Sequence, residues 1–146
     1  MASSYIQYKG NGFWTYDNPI CVIAAYLYLE IMKIESMPRW LEEYGSDLRD
    51  NSYGYFVGFT SLRLDAFIVD DDRLAIILRA VEQVKNQIQH EDSIIALDRL
   101  NEYIDDNGAK IWSGRKVEKI VVEKMLCLLV DILNGKEVDQ DLYLKI

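Results

Sequence analysis

The stretch DNPICVIAAYLYLEIMKI, Asp17 to Ile34, decides how this chain folds. Asp17 or Asn18 can accept hydrogen bonds from the unpaired N–H groups that open a helix. Pro19 suits the first helical position, where its missing N–H costs least. The spacing predicts a helix from about Pro19 to Ile34. Ile20, Ile23, Ala24, Leu27, Ile31 and Ile34 share one face. Val22, Tyr26 and Leu29 add apolar groups on the others, so the helix is wrapped nearly all round and belongs at the centre of a core. Its most apolar run is about 13 residues long and ends in charge, too short to span a bilayer.

Working outward, Ser36-Met37-Pro38 ends this helix and starts another, with Trp40, Leu41 and Tyr44 opposite Glu42 and Glu43. Gly45 is expected to end or bend it, with Ser46 capping a further turn. Residues 55–69 are ambiguous: the first half has the aromatic and branched content of a strand, the second the spacing of a short helix. A helix over Asp71–Gln89 is clear, with Leu74, Ile77, Leu78, Val81, Val84 and Ile88 as its apolar stripe. A further helix is predicted from about residues 91–93, burying Ile94, Leu97, Leu100 and Ile104 and stopping at Asn107-Gly108. The last helix is expected from after Ser113 to about Asn134, with Val117, Ile120, Val121, Leu128 and Ile132 inward and Gly135 as its stop.

At the other end, residues 1–17 scatter Tyr5, Tyr8, Phe13, Trp14 and Tyr16 among polar groups and read as an extended arm packed on the domain. Residues 136–146 read as a tail. The sum is an all-α fold, one compact domain of about five to seven helices over residues 1–146, with room for one short strand or hairpin. Only two prolines and eight glycines interrupt the 146 residues, which favours long helices.

The formal charge is −8, from 24 acidic and 16 basic side chains. Such a chain repels nucleic acid and anionic membranes, so a basic protein is its natural long-range partner. The N-terminus lacks the apolar core of a signal peptide. Cys21 and Cys127 lie in apolar runs and read as buried free thiols of a cytoplasmic protein, with a disulfide between them as the alternative.

Signals for catalysis are sparse. The single histidine, His90, falls at a helix end, where a cation favours the dipole. No glycine-rich phosphate loop is present, and no cofactor is expected. The carboxylate clusters are the candidates for a site: Asp70-Asp71-Asp72, Glu42-Glu43, Glu91-Asp92 and Asp105-Asp106. Asp70 or Asp71 can cap the helix that follows and Asp72 suits its first turn, which leaves one aspartate without a folding role. Asp105 and Asp106 fall near a predicted helix end, where negative charge is unfavourable. Tyr53 and Tyr55, flanking Gly54, are candidates for exposed aromatics on this acidic surface.

Several separated features then line up. Phe13-Trp14 precede Asp17-Asn18-Pro19 and an apolar helix; Trp40-Leu41, Gly58, Leu62, Leu64, Asp65 and Phe67 follow, then Leu100-Asn101 and Leu133-Asn134-Gly135. This ordering resembles a family of small bacterial immunity proteins of contact-dependent growth inhibition and related polymorphic-toxin systems, over about residues 10–135. The resemblance implies a non-enzyme that binds a cognate basic toxin domain, often a nuclease, and covers its active site. From the residues alone, the expected contact groups are Asp70, Asp71, Asp72, Tyr53, Tyr55, Glu42, Glu43, Asp105 and Asp106. Two other readings stay open: a carboxylate and metal-dependent enzyme using Asp70–Asp72 with Glu42, Glu43 or Asp105, and an acidic adaptor without catalysis.

Overall fold

The structure, a computed structural model, describes residues 3–54, 56, 58–98, 100 and 116–138. Tyr55, Asp105 and Asp106, the predicted stop at Asn107-Gly108 and the tail beyond Val138 lie outside them. The described elements run β1 (Ser3–Tyr8), β2 (Asn11–Tyr16), α1 (Asp17–Ile31), α2 (Arg39–Ser52), α3 (Leu64–Phe67), α4 (Asp71–Gln89) and α5 (Lys119–Leu133). Helix α1 is the centre, with Ile20 through Leu27 all buried. It packs against α2, α4 and α5, as its apolar wrapping requires. Among the described residues no helix is long and apolar enough to cross a membrane.

The all-α expectation is wrong. Residues 3–16 form a two-stranded antiparallel hairpin in register from Ser3 opposite Tyr16 to Tyr8 opposite Asn11, so the fold is α+β. The connection is Lys9-Gly10, with φ of 51° and 78°. Both central residues of a type I′ turn need positive φ, and asparagine or aspartate usually takes the first place. A lysine there weakens the sequence signal. What compensates is remote: the Lys9 N–H donates to Asp65 Oδ1 at 2.9 Å, which fastens the turn to α3.

Alternation then sorts the hairpin's faces. Ser4, Ile6, Tyr8, Phe13 and Thr15 point inward, where the Thr15 hydroxyl meets Met125 Sδ of α5 at 3.0 Å. Outside, Tyr5 and Trp14 face each other across the strands with ring centroids 5.3 Å apart. Gly12 is dictated by close approach, because a Cβ there would lie 2.1 Å from the Ile6 carbonyl oxygen. Gly12→Ala is therefore expected to cost about 2 kcal/mol through forced backbone movement, read as a lower melting temperature.

Helix limits follow local signals where those are strong. Helix α4 spans the predicted Asp71–Gln89, with Asp70 as its cap accepting from Arg73 N at 2.8 Å. Helix α5 ends as expected on Gly135, whose φ is +81°. Gly135 N–H reaches the Ile132 carbonyl and Lys136 N–H the Asp131 carbonyl, the paired bonds of a Schellman closure. The chain then turns back, and Asn11 binds the Lys136 carbonyl and the Val138 N–H.

Elsewhere packing overrides the local reading. Helix α1 ends at Ile31, and Ile34 is exposed. Gly45 does not end α2; it lies in the helix against Ile31 and Tyr28 of α1. Helix α5 begins at Lys119, and its Ile120 is 58% exposed instead of inward. Ile94 is likewise exposed, in a bridge to Glu118 that joins the segments before and after residues 96–116. Cys127, expected to be buried, is exposed, and both cysteines are free. Cys21 is buried as expected; burial, reinforced by the Asp17 carboxylate, pushes its thiol up to about 12 and keeps it protonated.

Candidate partner-binding face

The segment from Ser61 to Arg73 runs back along α2 from that helix's C-terminal end to its start. Four sets of contacts trace it. Ser61 N–H donates to Asn51 Oδ1 at 3.3 Å. Arg63 Nη1 donates to Asp47 Oδ1 at 3.3 Å. The buried Tyr44 hydroxyl donates to the Leu62 carbonyl at 2.7 Å, and its ring meets Phe67 at 4.7 Å. Burial pushes the Tyr44 phenol upward, so it remains a neutral donor. Finally the Arg73 guanidinium lies 4.6 Å from the Trp40 ring centroid and donates to the Phe67 carbonyl at 3.1 Å.

This path brings two predicted acidic clusters together. Asp70 is 3.8 Å from Arg73, which covers Trp40, and Trp40 begins a stripe on α2 that continues Glu43, Asp47 and Asp50 at helical spacing. Asp71 and Asp72 occupy the first turn of α4, where the dipole favours them, and both are exposed. Glu43 is exposed and pairs with Arg39 at 3.1 Å, a contact worth well under about 1 kcal/mol. Glu42 separates from Glu43: helical periodicity turns it to the flank shared with Arg49, away from the stripe.

Tyr53 does not present an exposed aromatic. It is 8% exposed, and the Arg49 guanidinium lies between it and Tyr28, 5.9 Å and 6.0 Å from the two ring centroids. The exposed aromatics of this region are instead Phe56, at 45%, and Phe59, at 84%. The aromatic run before α3 is thus partly outward. Among the described residues no three histidine, cysteine, aspartate or glutamate side chains converge as a metal-binding set.

The groups that sequence reasoning missed are Asp47, Asp50, Trp40 with Arg73, and Phe59. The acidic stripe was legible as the i, i+4, i+7 spacing of Glu43, Asp47 and Asp50. Phe59 carried no such signal, because its exposure follows from how the loop is held. Asp17, expected as a helix cap, does that holding. It is 5% exposed, and its Oδ1 accepts from Ser4 Oγ at 2.6 Å and its Oδ2 from Gly58 N at 2.7 Å. Helix α1 therefore begins at Asp17 without a side-chain cap.

Comparison with known protein families, with characterised proteins and with solved structures yields no match.

Asp47 is held by Arg63 but costs desolvation. Burial pushes its carboxyl above the usual 3.8, against the pull of Arg63 and with the help of Asp50. A raised folded value means that the stability linked to Asp47 is full below about pH 3.8 and is lost as pH rises through the folded value. Asp47→Asn should therefore melt higher than the wild type at pH 7, and the gain should shrink as both are acidified towards pH 3. Paired thermal melts across that range check it. A lower melting point for the variant at pH 7 would mean that the Arg63 pair outweighs burial.

Proposed function

We propose that this chain is a non-enzymatic inhibitor of the immunity-protein type, which binds a basic toxin domain in the cytoplasm and covers its active site. The observation that carries this reading is the acidic row Glu43, Asp47 and Asp50 along α2, whose first turn is joined through Arg73 over Trp40 to the start of α4, where Asp70 caps and Asp71 and Asp72 are exposed. All of these carboxylates but Asp47 are exposed, and Asp50 with one of Asp71 and Asp72 exceeds what capping and the pairs with Arg39, Arg63 and Arg73 require. A nuclease site that holds phosphates presents the complementary field, and complementary charge speeds association and rejects wrong partners. The net charge of −8 and the ordering of Asp17-Asn18-Pro19, Trp40-Leu41, Gly58, Leu64, Asp65 and Phe67 support the same reading.

The test is co-expression with the C-terminal domain of a large secreted toxin encoded beside this chain. Rescue of growth together with a purified complex is the expected result. Undiminished toxicity without a complex would sink the proposal.

A further inference from the structure

We infer that Phe59, on the turn held at Gly58 and Thr60, is a preformed anchor for a protein partner, with its ring entering an apolar pocket rimmed by lysine or arginine. The inference deepens, and rests on, the partner-binding reading above.

Two observations set this turn apart. The first is exposure on a hydrogen-bonded backbone. Phe59 is 84% exposed, so its ring adds almost nothing to the core. Yet the backbone that carries it is tied on both sides. Phe59 N–H closes on the Phe56 carbonyl at 2.8 Å, and the Thr60 hydroxyl donates to the same carbonyl at 3.0 Å. Gly58, at φ +77°, gives its N–H to the buried Asp17 carboxylate at 2.7 Å. Thr60 gives its N–H to buried Ser4 Oγ at 3.1 Å. Four bonds, two of them to buried side chains, thus fix the backbone that carries an aromatic group the core does not use. An anchor fixed in advance loses little entropy on binding, and aromatic anchors dominate interface energetics.

The second observation is charge. Ser61 is bonded to Asn51, which follows Asp50 and donates to the Asp47 carbonyl at 2.9 Å. The anchor therefore lies at the end of the acidic stripe of α2. An apolar group at the end of α2 that carries Asp50 fits a pocket with a basic rim. It fits an anionic bilayer poorly, because the same carboxylates would be repelled.

The test uses the full chain with Phe59→Ser, and with Phe56→Ser as a second variant. The probe is the toxin domain encoded beside the chain, and vesicles of phosphatidylglycerol and phosphatidylethanolamine serve as the membrane arm. Phe59→Ser should keep the wild-type melting temperature and weaken toxin binding about 30-fold or more, mainly through faster dissociation. Phe56→Ser should weaken it less. Toxin binding by the wild type with no loss in Phe59→Ser overturns the anchor and leaves the inhibitor reading standing. Where the toxin domain does not bind, a photo-crosslinking residue at position 59 decides between the two. A single basic protein that it captures, and whose purified form binds 30-fold more weakly to Phe59→Ser, upholds the anchor and overturns the toxin. No adduct specific to position 59, or Phe59-dependent sedimentation with the vesicles, overturns the anchor.

Discussion

Asp17→Ala is expected to lower stability by about 3 kcal/mol and the melting temperature by about 10 °C. The carboxylate is buried and accepts two short bonds, from Ser4 Oγ at 2.6 Å and Gly58 N at 2.7 Å. Bonds to a charged acceptor contribute roughly 1.5–3 kcal/mol each, and removing the acceptor leaves two donors without it. The loss also spreads, because Ser4 Oγ holds the Thr60 N–H in turn. Hydrogen exchange at the Gly58 and Thr60 amides should therefore accelerate by more than exchange within α4. Asp17→Asn is the informative comparison. Its oxygen can keep the Gly58 bond while its amide faces Ser4, so the loss should be about a third as large. An Asp17→Ala protein that melts with the wild type would remove the carboxylate from its structural role.

The second large effect concerns rate. The triple change Asp50→Asn, Asp71→Asn and Asp72→Asn removes three exposed charges from the acidic face and spares the Asp70 cap. Association with a basic toxin domain should slow roughly 10- to 100-fold at low ionic strength. The difference should close as salt rises, since the screening length falls to about 3 Å at 1 M. Stability should fall only modestly, because each first-turn aspartate contributes about 0.3–1 kcal/mol. Stopped-flow association over a range of salt concentrations, paired with thermal melts, separates the two effects. Equal association rates at low salt would remove this face from steering. Asp70 belongs in a separate variant, because its replacement by alanine costs about 1 kcal/mol through the cap alone.

Helices were legible wherever a local signal was complete. The aspartate run, the apolar stripe and the alternating polar positions of α4 lie within one segment, and its limits and cap follow from them. Gly135 closes α5 for the same reason. The acidic clusters were legible as composition, but not their relation. Glu42 and Glu43 are neighbours in sequence and diverge on the helix, whereas Asp70, distant in sequence, is linked through Arg73 to Trp40 in the first turn of α2.

What the chain determined by itself is its central apolar helix, the extent and cap of α4, the glycine stop of α5 and its acidic character. Only the tertiary structure decided the hairpin, the exposure of Phe59 and the burial of Tyr53. Each depends on groups far apart in sequence: Lys9 on Asp65, Gly58 on Asp17, Thr15 on Met125, and Tyr53, through its neighbour Arg49, on Tyr28. An isolated two-stranded hairpin is marginal in water. Its stability, and the direction in which the loop beside it points, come from hydrogen bonds whose partners meet only after the helices have packed.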